Sequence, residues 1–425
     1  MKTLTLISLI LTLSISCYSQ HGKSGQAVNA LDSIVLGPGY ANDIYYSFEN
    51  GVVASVPRTN WDIGFHTTVW TAAIITNGAA GVNLYTYPKA DTTGWNTVDT
   101  AGISSWTVLY DSEDDWEDGA FNRGAAGHPD YGWGKYNPIN HDVVGDSVYI
   151  LKTLDGTYKK IWILRKNSSN NTYFIRQANL DGSNDNVTEL NINPYRNVNF
   201  IYYAFSSAAI VEREPDTASW DILFTKYMAI QPDGTPYPVV GVLNNFRVYA
   251  NKFYPVVQDF NDWTSTPPDS TKSSIGWEWK SFDMNSFTWT VADSTAFFVH
   301  SRNKDIYKLV FTKFDGSSTG KIIFDKKAVS PSGIPTINSG IFEVSVYPNP
   351  VKDQLTIDFG QEIKGVVTLA IFDINGRQVY SSQLEVRDYK LTFRIPESSV
   401  CSGLHLLKIV TGSGISTSKF LVTKN

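Results

Sequence analysis

The sequence predicts an all-β protein: two tandem antiparallel β domains followed by a small C-terminal Ig-like β-sandwich. Three observations carry this. Apolar residues alternate with polar ones in many short runs, and no long stretch shows an apolar stripe at helical spacing. Asp-Gly and Asn-Gly steps at Asp155-Gly156, Asp181-Gly182, Asp315-Gly316 and Asn375-Gly376 place residues that tolerate positive φ where hairpins must turn back. Finally, Trp61-Asp62-Ile63-Gly64-Phe65 is written again as Trp220-Asp221-Ile222-Leu223-Phe224.

The flanks of that repeat agree in order. Tyr45-Tyr46-Ser47-Phe48 answers to Tyr202-Tyr203-Ala204-Phe205, Gly81-Val82 to Gly241-Val242, and Gly132-Trp133 to Gly276-Trp277. Val148-Tyr149-Ile150-Leu151 then matches Phe297-Phe298-Val299-His300, and the segment at Asp155 to Lys159 matches Lys304 to Lys308. Solenoid repeats run roughly 20 to 50 residues, so a period this long is a duplicated domain. The repeats fix the units at 28–182 and 190–328. Residues 1–19 read as an export signal: Lys2 gives the positive start, Leu4 to Ile15 the apolar stretch, and Cys17-Tyr18-Ser19 the cleavage site. Ser14 stands where lipoprotein signals usually carry Leu, which favours cleavage after Ser19 over acylation of Cys17. A Pro/Gly/Ser break within 329–342 reads as a linker, and 343–425 as the last domain.

The chain has 425 residues, 42% hydrophobic and 18% charged, so a sizeable core is available. A formal charge of -6 gives no basic face and argues against nucleic acid as a partner. No later segment is apolar for long enough to be a membrane span. Once a signal is removed, Cys401 is the one remaining thiol, so stability rests on packing rather than on internal disulfides.

In the last domain, Leu355, Ile357 and Phe359 alternate with polar residues, as do Leu391, Phe393 and Ile395, and each run reads as a half-buried strand. The order Val344-Ser345-Val346-Tyr347-Pro348-Asn349-Pro350, Asn375-Gly376-Arg377 and Lys419-Phe420-Leu421-Val422 closely resembles the C-terminal sorting domain of the type IX secretion system of Bacteroidetes. His405 departs from the aromatic often found at its position. The resemblance implies that residues 343–425 engage the type IX secretion machinery. Passage across the outer membrane, removal of the segment, and release or surface attachment would follow.

The duplicated region resembles the HmuY-type haemophore family, one domain per unit. The resemblance rests on Tyr46 to Val53, on Asn60-Trp61-Asp62-Ile63-Gly64-Phe65-His66, and on a closing hairpin from Ala296 to Phe324. Haem iron takes imidazole or thioether axial ligands. The family carries a His between its Gly-Trp segment and the hairpin. The first unit has His141 in that interval, with His128 just upstream in Gly127-His128-Pro129-Asp130; the second has no His there but has Met284. Taken alone, a loop histidine or a core methionine needs no ligand. The resemblance is what singles out His128, His141 and Met284 for haem.

Other chemistry is sparse. Asp111, Glu113, Asp114, Asp115, Glu117 and Asp118 could supply oxygen ligands to calcium, but they lack the EF-hand spacing and read as a solvated loop. Gly316-Ser317-Ser318-Thr319-Gly320 fits the nucleophile-elbow pattern, yet its flanks outline a β-hairpin rather than a strand and a helix. The expectation is therefore a non-catalytic protein, secreted or on the outer cell surface, that binds haem or a related small ligand. A surface module for adhesion, glycan or protein binding on the same framework is the alternative, and a hydrolase with an unadvertised site stands well behind both.

Overall fold

The computed structural model describes residues 30–257, 259–292, 294–329, 344–396, 399–411 and 414–423. The expected export signal, the start of the first unit at 28 and nearly all of the 329–342 linker lie outside them. The chain divides into two units, Met1–Pro331 and Ser332–Asn425, each nearly all β as the alternation predicts.

In the N-terminal unit the first repeat opens with β1 (Ala30–Val35), β2 (Asn42–Ser47) and β3 (Gly51–Pro57). Then follow β4 (Ile63–His66), β5 (Ile74–Thr76), β6 (Asn83–Thr86), β7 (Gly134–Tyr136), β8 (Val143–Gly145), β9 (Tyr149–Lys152), β10 (Tyr158–Asn167) and β11 (Thr172–Asn179). The second repeat opens with β12 (Asn186–Asn191), β13 (Phe200–Ala204) and β14 (Ala209–Val211). It continues with β15 (Ile222–Ile230), β16 (Pro236–Asn244), β17 (Tyr249–Phe253), β18 (Lys280–Asp283), β19 (Thr288–Val291), β20 (Ala296–His300), β21 (Ile306–Phe314) and β22 (Lys321–Ala328).

The two repeats exchange their opening strands. The Tyr-Tyr strand β2 pairs with β15, the Trp-Asp strand of the other copy, with Tyr46 opposite Ile222. Reciprocally, β13 pairs with β4, with Tyr203 opposite Ile63. In the same way β1 lies against β22 and β12 against β11. One lobe is therefore continuous: the sheet β14-β13-β4-β5 and the seven-stranded sheet of β6 to β12 cover a core of Phe65, Trp133, Tyr173 and Tyr203. The other closes the start of the chain onto its end. Sheets β16-β15-β2-β3 and β1-β22-β21-β20-β17 cover Tyr46, Phe224, Trp279 and Phe324. The units read from sequence at 28–182 and 190–328 follow the repeats, but the sheets close three strands out of phase with them. Duplication leaves its trace in residue order, whereas lobe membership is decided by which edge a strand pairs with. The short Asp181-Gly182 turn hands β12 directly to β11.

Around the exchange the hydrogen bonding repeats atom for atom. Asp62 accepts from Leu154 N (2.9 Å) and Phe205 N (2.8 Å), and Asp221 from Arg302 N (3.2 Å) and Phe48 N (2.9 Å). Each carboxylate thus ties the end of the exchanged Tyr-Tyr strand to the end of a hairpin strand in the lobe that receives it. Asn77 Nδ2 donates to Arg58 O and Trp61 O, and Asn245 Nδ2 to Thr217 O and Trp220 O. Trp61 meets Tyr202 edge-on at 4.8 Å, as Trp220 meets Tyr45 at 5.0 Å. Trp277 is not the counterpart of Trp133 in packing, because it is half-buried and Trp279, two residues on, fills the core. Burial pushes both aspartate carboxyls up, and the amide donors pull them back. Replacing either aspartate by alanine strands two amide hydrogens, so Asp62→Ala and Asp221→Ala should each cost on the order of 3 kcal/mol. Urea unfolding would show this as a lower midpoint at unchanged slope.

The C-terminal unit contains β23 (Ser345–Tyr347), β24 (Gln354–Phe372), β25 (Gln378–Arg394), β26 (Gly403–Thr411) and β27 (Gly414–Val422). β24 pairs along its length with β25, and its register shifts between Asp358 and Ile363. Before the shift its other edge takes β23, and after it β26, so one bent sheet folds sandwich-like over Leu355, Ile357, Leu369, Leu407 and Phe420. Asn349 accepts from Leu421 N at 2.8 Å, tying the Pro-Asn-Pro turn to the last strand. The His405 ring packs on Phe420 at 5.8 Å and its Nε2 contacts Cys401 O at 2.8 Å, so histidine fills an aromatic's place.

Candidate functional site

The first-unit histidines come together at one end of the continuous lobe. β7 and β8 form a hairpin whose turn is held by Asn137, which accepts Ile139 N at 2.9 Å through its side chain and His141 N at 2.8 Å through its carbonyl. His141 takes positive φ there, 63°, and its Nδ1 lies 2.5 Å from Tyr136 Oη. The preceding Gly127-His128-Pro129-Asp130 turn is fixed by Asp130, which accepts Ala126 N at 3.1 Å and Gly132 N at 2.8 Å. That brings the His128 ring to 5.0 Å from the ring of Tyr136. Two exposed imidazoles thus flank one phenol.

The surroundings are built from strand β10. Ser168, just beyond it, bonds His141 O through Oγ and Asp142 Oδ1 through its amide. Lys166 is buried and donates to Thr68 O at 2.9 Å and to Thr71 O, which anchors the 67–71 loop at the same strand end. Burial pushes this ammonium down to about 7. Two apolar side chains are left in solvent on these loops, Trp70 at 88% exposure and Ile139 at 90%. Phenol oxygen and imidazole nitrogen are both ligand types that haem iron accepts. Tyr136 stands inside the Gly132 to Tyr136 segment, yet nothing in the sequence marks it as the residue between the two histidines.

Met284 is elsewhere. It stands at the tip of the β18–β19 hairpin in the other lobe, 70% exposed, with Asp283 bonding Asn285 N and Ser286 Oγ beneath it. The structure therefore joins His128 with His141 but not with Met284. His66 is buried against Phe200 and Phe246, and burial together with the Lys166 charge pushes it down to about 3, so it is a neutral core ring. Ser318 closes the turn between β21 and β22, its Oγ donating to Asp315 O at 3.0 Å, the hairpin setting that the flanks of the pattern predict. Among the described residues no group of three or more His, Cys, Asp or Glu side chains could hold a metal ion.

The acidic segment, read from sequence as a solvated loop, leaves Asp114, Asp115 and Glu117 exposed but also straps the continuous lobe to the other. Asp111 accepts Thr76 N at 3.1 Å and Ala120 N at 2.7 Å, and Glu113 accepts Ile230 N at 3.1 Å. Trp116 Nε1 donates to Asn244 O at 2.8 Å, and the ring lies against Phe200 and Phe246. The Lys272 ammonium sits 4.5 Å over that ring. Burial pushes the Asp111 carboxyl up to about 6. Nearby, Glu214 accepts Asn199 N (2.9 Å), Phe200 N (3.1 Å) and Tyr202 Oη (3.3 Å), and burial pushes it up to about 7. A carboxyl raised on folding contributes stability that is complete below its unfolded value and is lost as pH rises through the folded one. The N-terminal unit should therefore weaken from about pH 4.5 to 7, by about 3 kcal/mol from Glu214. Denaturant midpoints across that range should fall in the wild type, and Glu214→Gln should flatten the slope.

Comparison with known proteins assigns the C-terminal unit. Residues 345–423 match the family described as "Secretion system C-terminal sorting domain". That unit is a type IX sorting domain, and the protein is secreted or held at the cell surface. No curated protein matches the chain. One solved structure, "Biofilm associated protein - BSP domain", aligns over 94% of this chain and 67% of its own at 10% identity and a TM-score of 0.16. A likeness that slight carries no argument. No helix among the described residues is long and apolar enough to cross a membrane.

Proposed function

We propose that this exported β protein is a non-catalytic binding protein whose N-terminal unit holds haem or a related iron complex at the His128–Tyr136–His141 cluster. One observation supports the reading: Tyr136 Oη lies 2.5 Å from His141 Nδ1 while the His128 ring lies 5.0 Å from Tyr136, beside loops that leave Trp70 and Ile139 bare. Imidazole or phenolate would ligate the iron and the apolar side chains would cover part of the macrocycle. Hemin titration of the intact protein tests it. A red-shifted, sharpened Soret band is expected, broadened by His141→Ala and by Tyr136→Phe; no change on adding hemin would refute the proposal.

A second reading has its own observation. On the β18–β19 hairpin Phe282 lies 5.2 Å from its cross-strand partner Trp289, and Phe287 is 74% exposed near the tip. An aromatic surface of this kind suits adhesion to glycans or proteins. Loss of cell or glycan attachment on Phe282→Ala, with hemin binding unchanged, would favour it.

A further inference from the structure

The seam between the two lobes holds a partly open pocket of about 80 Å³, room for a few waters or one small oxyanion. Its walls include Trp61 and Thr76 from the continuous lobe, Lys226 and Tyr227 from β15, and Arg58 and Arg213 from the connections that follow β3 and β14. The other lining charges are compensated. Asp43 is held by Arg213 at 2.6 Å and by Thr225 Oγ1 at 2.6 Å. Asp111 has its two amide donors and the nearby charge of Lys272.

Lys226 has no such partner, and the one carboxylate acting on Arg58 is that of Asp43, which Arg213 already holds. Among the described residues the Arg58 guanidinium donates to neutral carbonyls, Tyr40 O at 2.9 Å and Ala79 O at 3.2 Å. The Lys226 ammonium makes no hydrogen bond or ion pair among the described residues, and it is destabilised both by burial and by the charge of Arg58. Four wall residues also carry a buried polar atom without a protein partner: Trp61 Nε1, Thr76 Oγ1, Arg213 Nε and Tyr227 Oη. Unmet donors beside the unpaired Lys226 and an Arg58 that shares Asp43 with Arg213 are costly unless the cavity's occupant supplies negative oxygens.

We propose that the seam is a binding site for a small oxyanion, a carboxylate or phosphate group whose oxygens meet Arg58, Lys226, the free Arg213 Nε and Tyr227 Oη. The site is built only because the repeats exchange strands, since β15 and the segment after β14 belong to different lobes yet share one wall. It is independent of haem and lies in a different part of the unit from the histidine cluster.

Calorimetric titration of the full chain with inorganic phosphate and, separately, with succinate tests the proposal and tells the two oxyanion sources apart. Saturable binding of at least one is expected, weakened tenfold or more by Lys226→Met and by Tyr227→Phe, and retained in Lys226→Arg. Thermal melts of the unliganded variants check that the fold is kept. If Lys226→Met does not fold, Tyr227→Phe decides alone. Absence of heat with both anions, or an affinity unchanged in the folded variants, would overturn the site and leave a cavity that holds water only.

Discussion

Residues 59–216 expressed alone should give a folded domain with a cooperative melt, whereas residues 28–182, one complete repeat, should not. The 59–216 fragment contains both sheets of the continuous lobe, β4 to β14, with Asp62 and its two amide partners in place. The repeat fragment lacks β12 and β13, so β4 and β11 each lose a paired edge and Phe205 N is no longer there for Asp62. It also carries β1 with nothing to pair against and the β2–β3 hairpin with the β2 edge open, because their partners β22 and β15 lie in the other repeat. Unpaired edges bearing apolar residues aggregate. Yield in the soluble fraction and amide exchange protection would distinguish the two fragments, and a stable, monomeric 28–182 fragment would show that the repeats close on themselves.

Deleting residues 345–423 should almost abolish the appearance of the protein outside the cell while leaving the N-terminal unit folded. The sorting domain has its own core of Leu355, Ile357, Leu369, Leu407 and Phe420, and the N-terminal unit has its own two. Sorting and folding are therefore separable. Fractionation with an antibody to the N-terminal unit would find the truncated protein retained inside. Its undiminished export would contradict the role of the tail.

The sequence carried the strands and the duplication but not the pairing. Leu355 and Ile357 were readable as inward-facing because alternation is a local signal, and both are fully buried. The Trp-Asp repeat was readable because Asp62 and Asp221 do the same work twice, each holding two amides. Strand exchange was not readable: Tyr45-Tyr46 has the same pattern whether it pairs with Ile63 or with Ile222, and nothing local chooses. The candidate site was half legible. His128 and His141 were accessible as residue types in the right interval, but Tyr136 between them and the placement of Met284 in the other lobe are products of tertiary structure. The acidic run was half legible for a similar reason: Asp114, Asp115 and Glu117 are exposed as its hydrophilicity reads, while Trp116 in its midst is carried into the seam.

The proposed haem binding through the histidine cluster would show itself in hemin titration of the intact protein beside its His128→Ala/His141→Ala double variant. A sharpened, red-shifted Soret band with saturation at one haem per chain is expected in the wild type, and its loss in a variant that melts normally. An identical Soret response in the two proteins, or none in either, would contradict it.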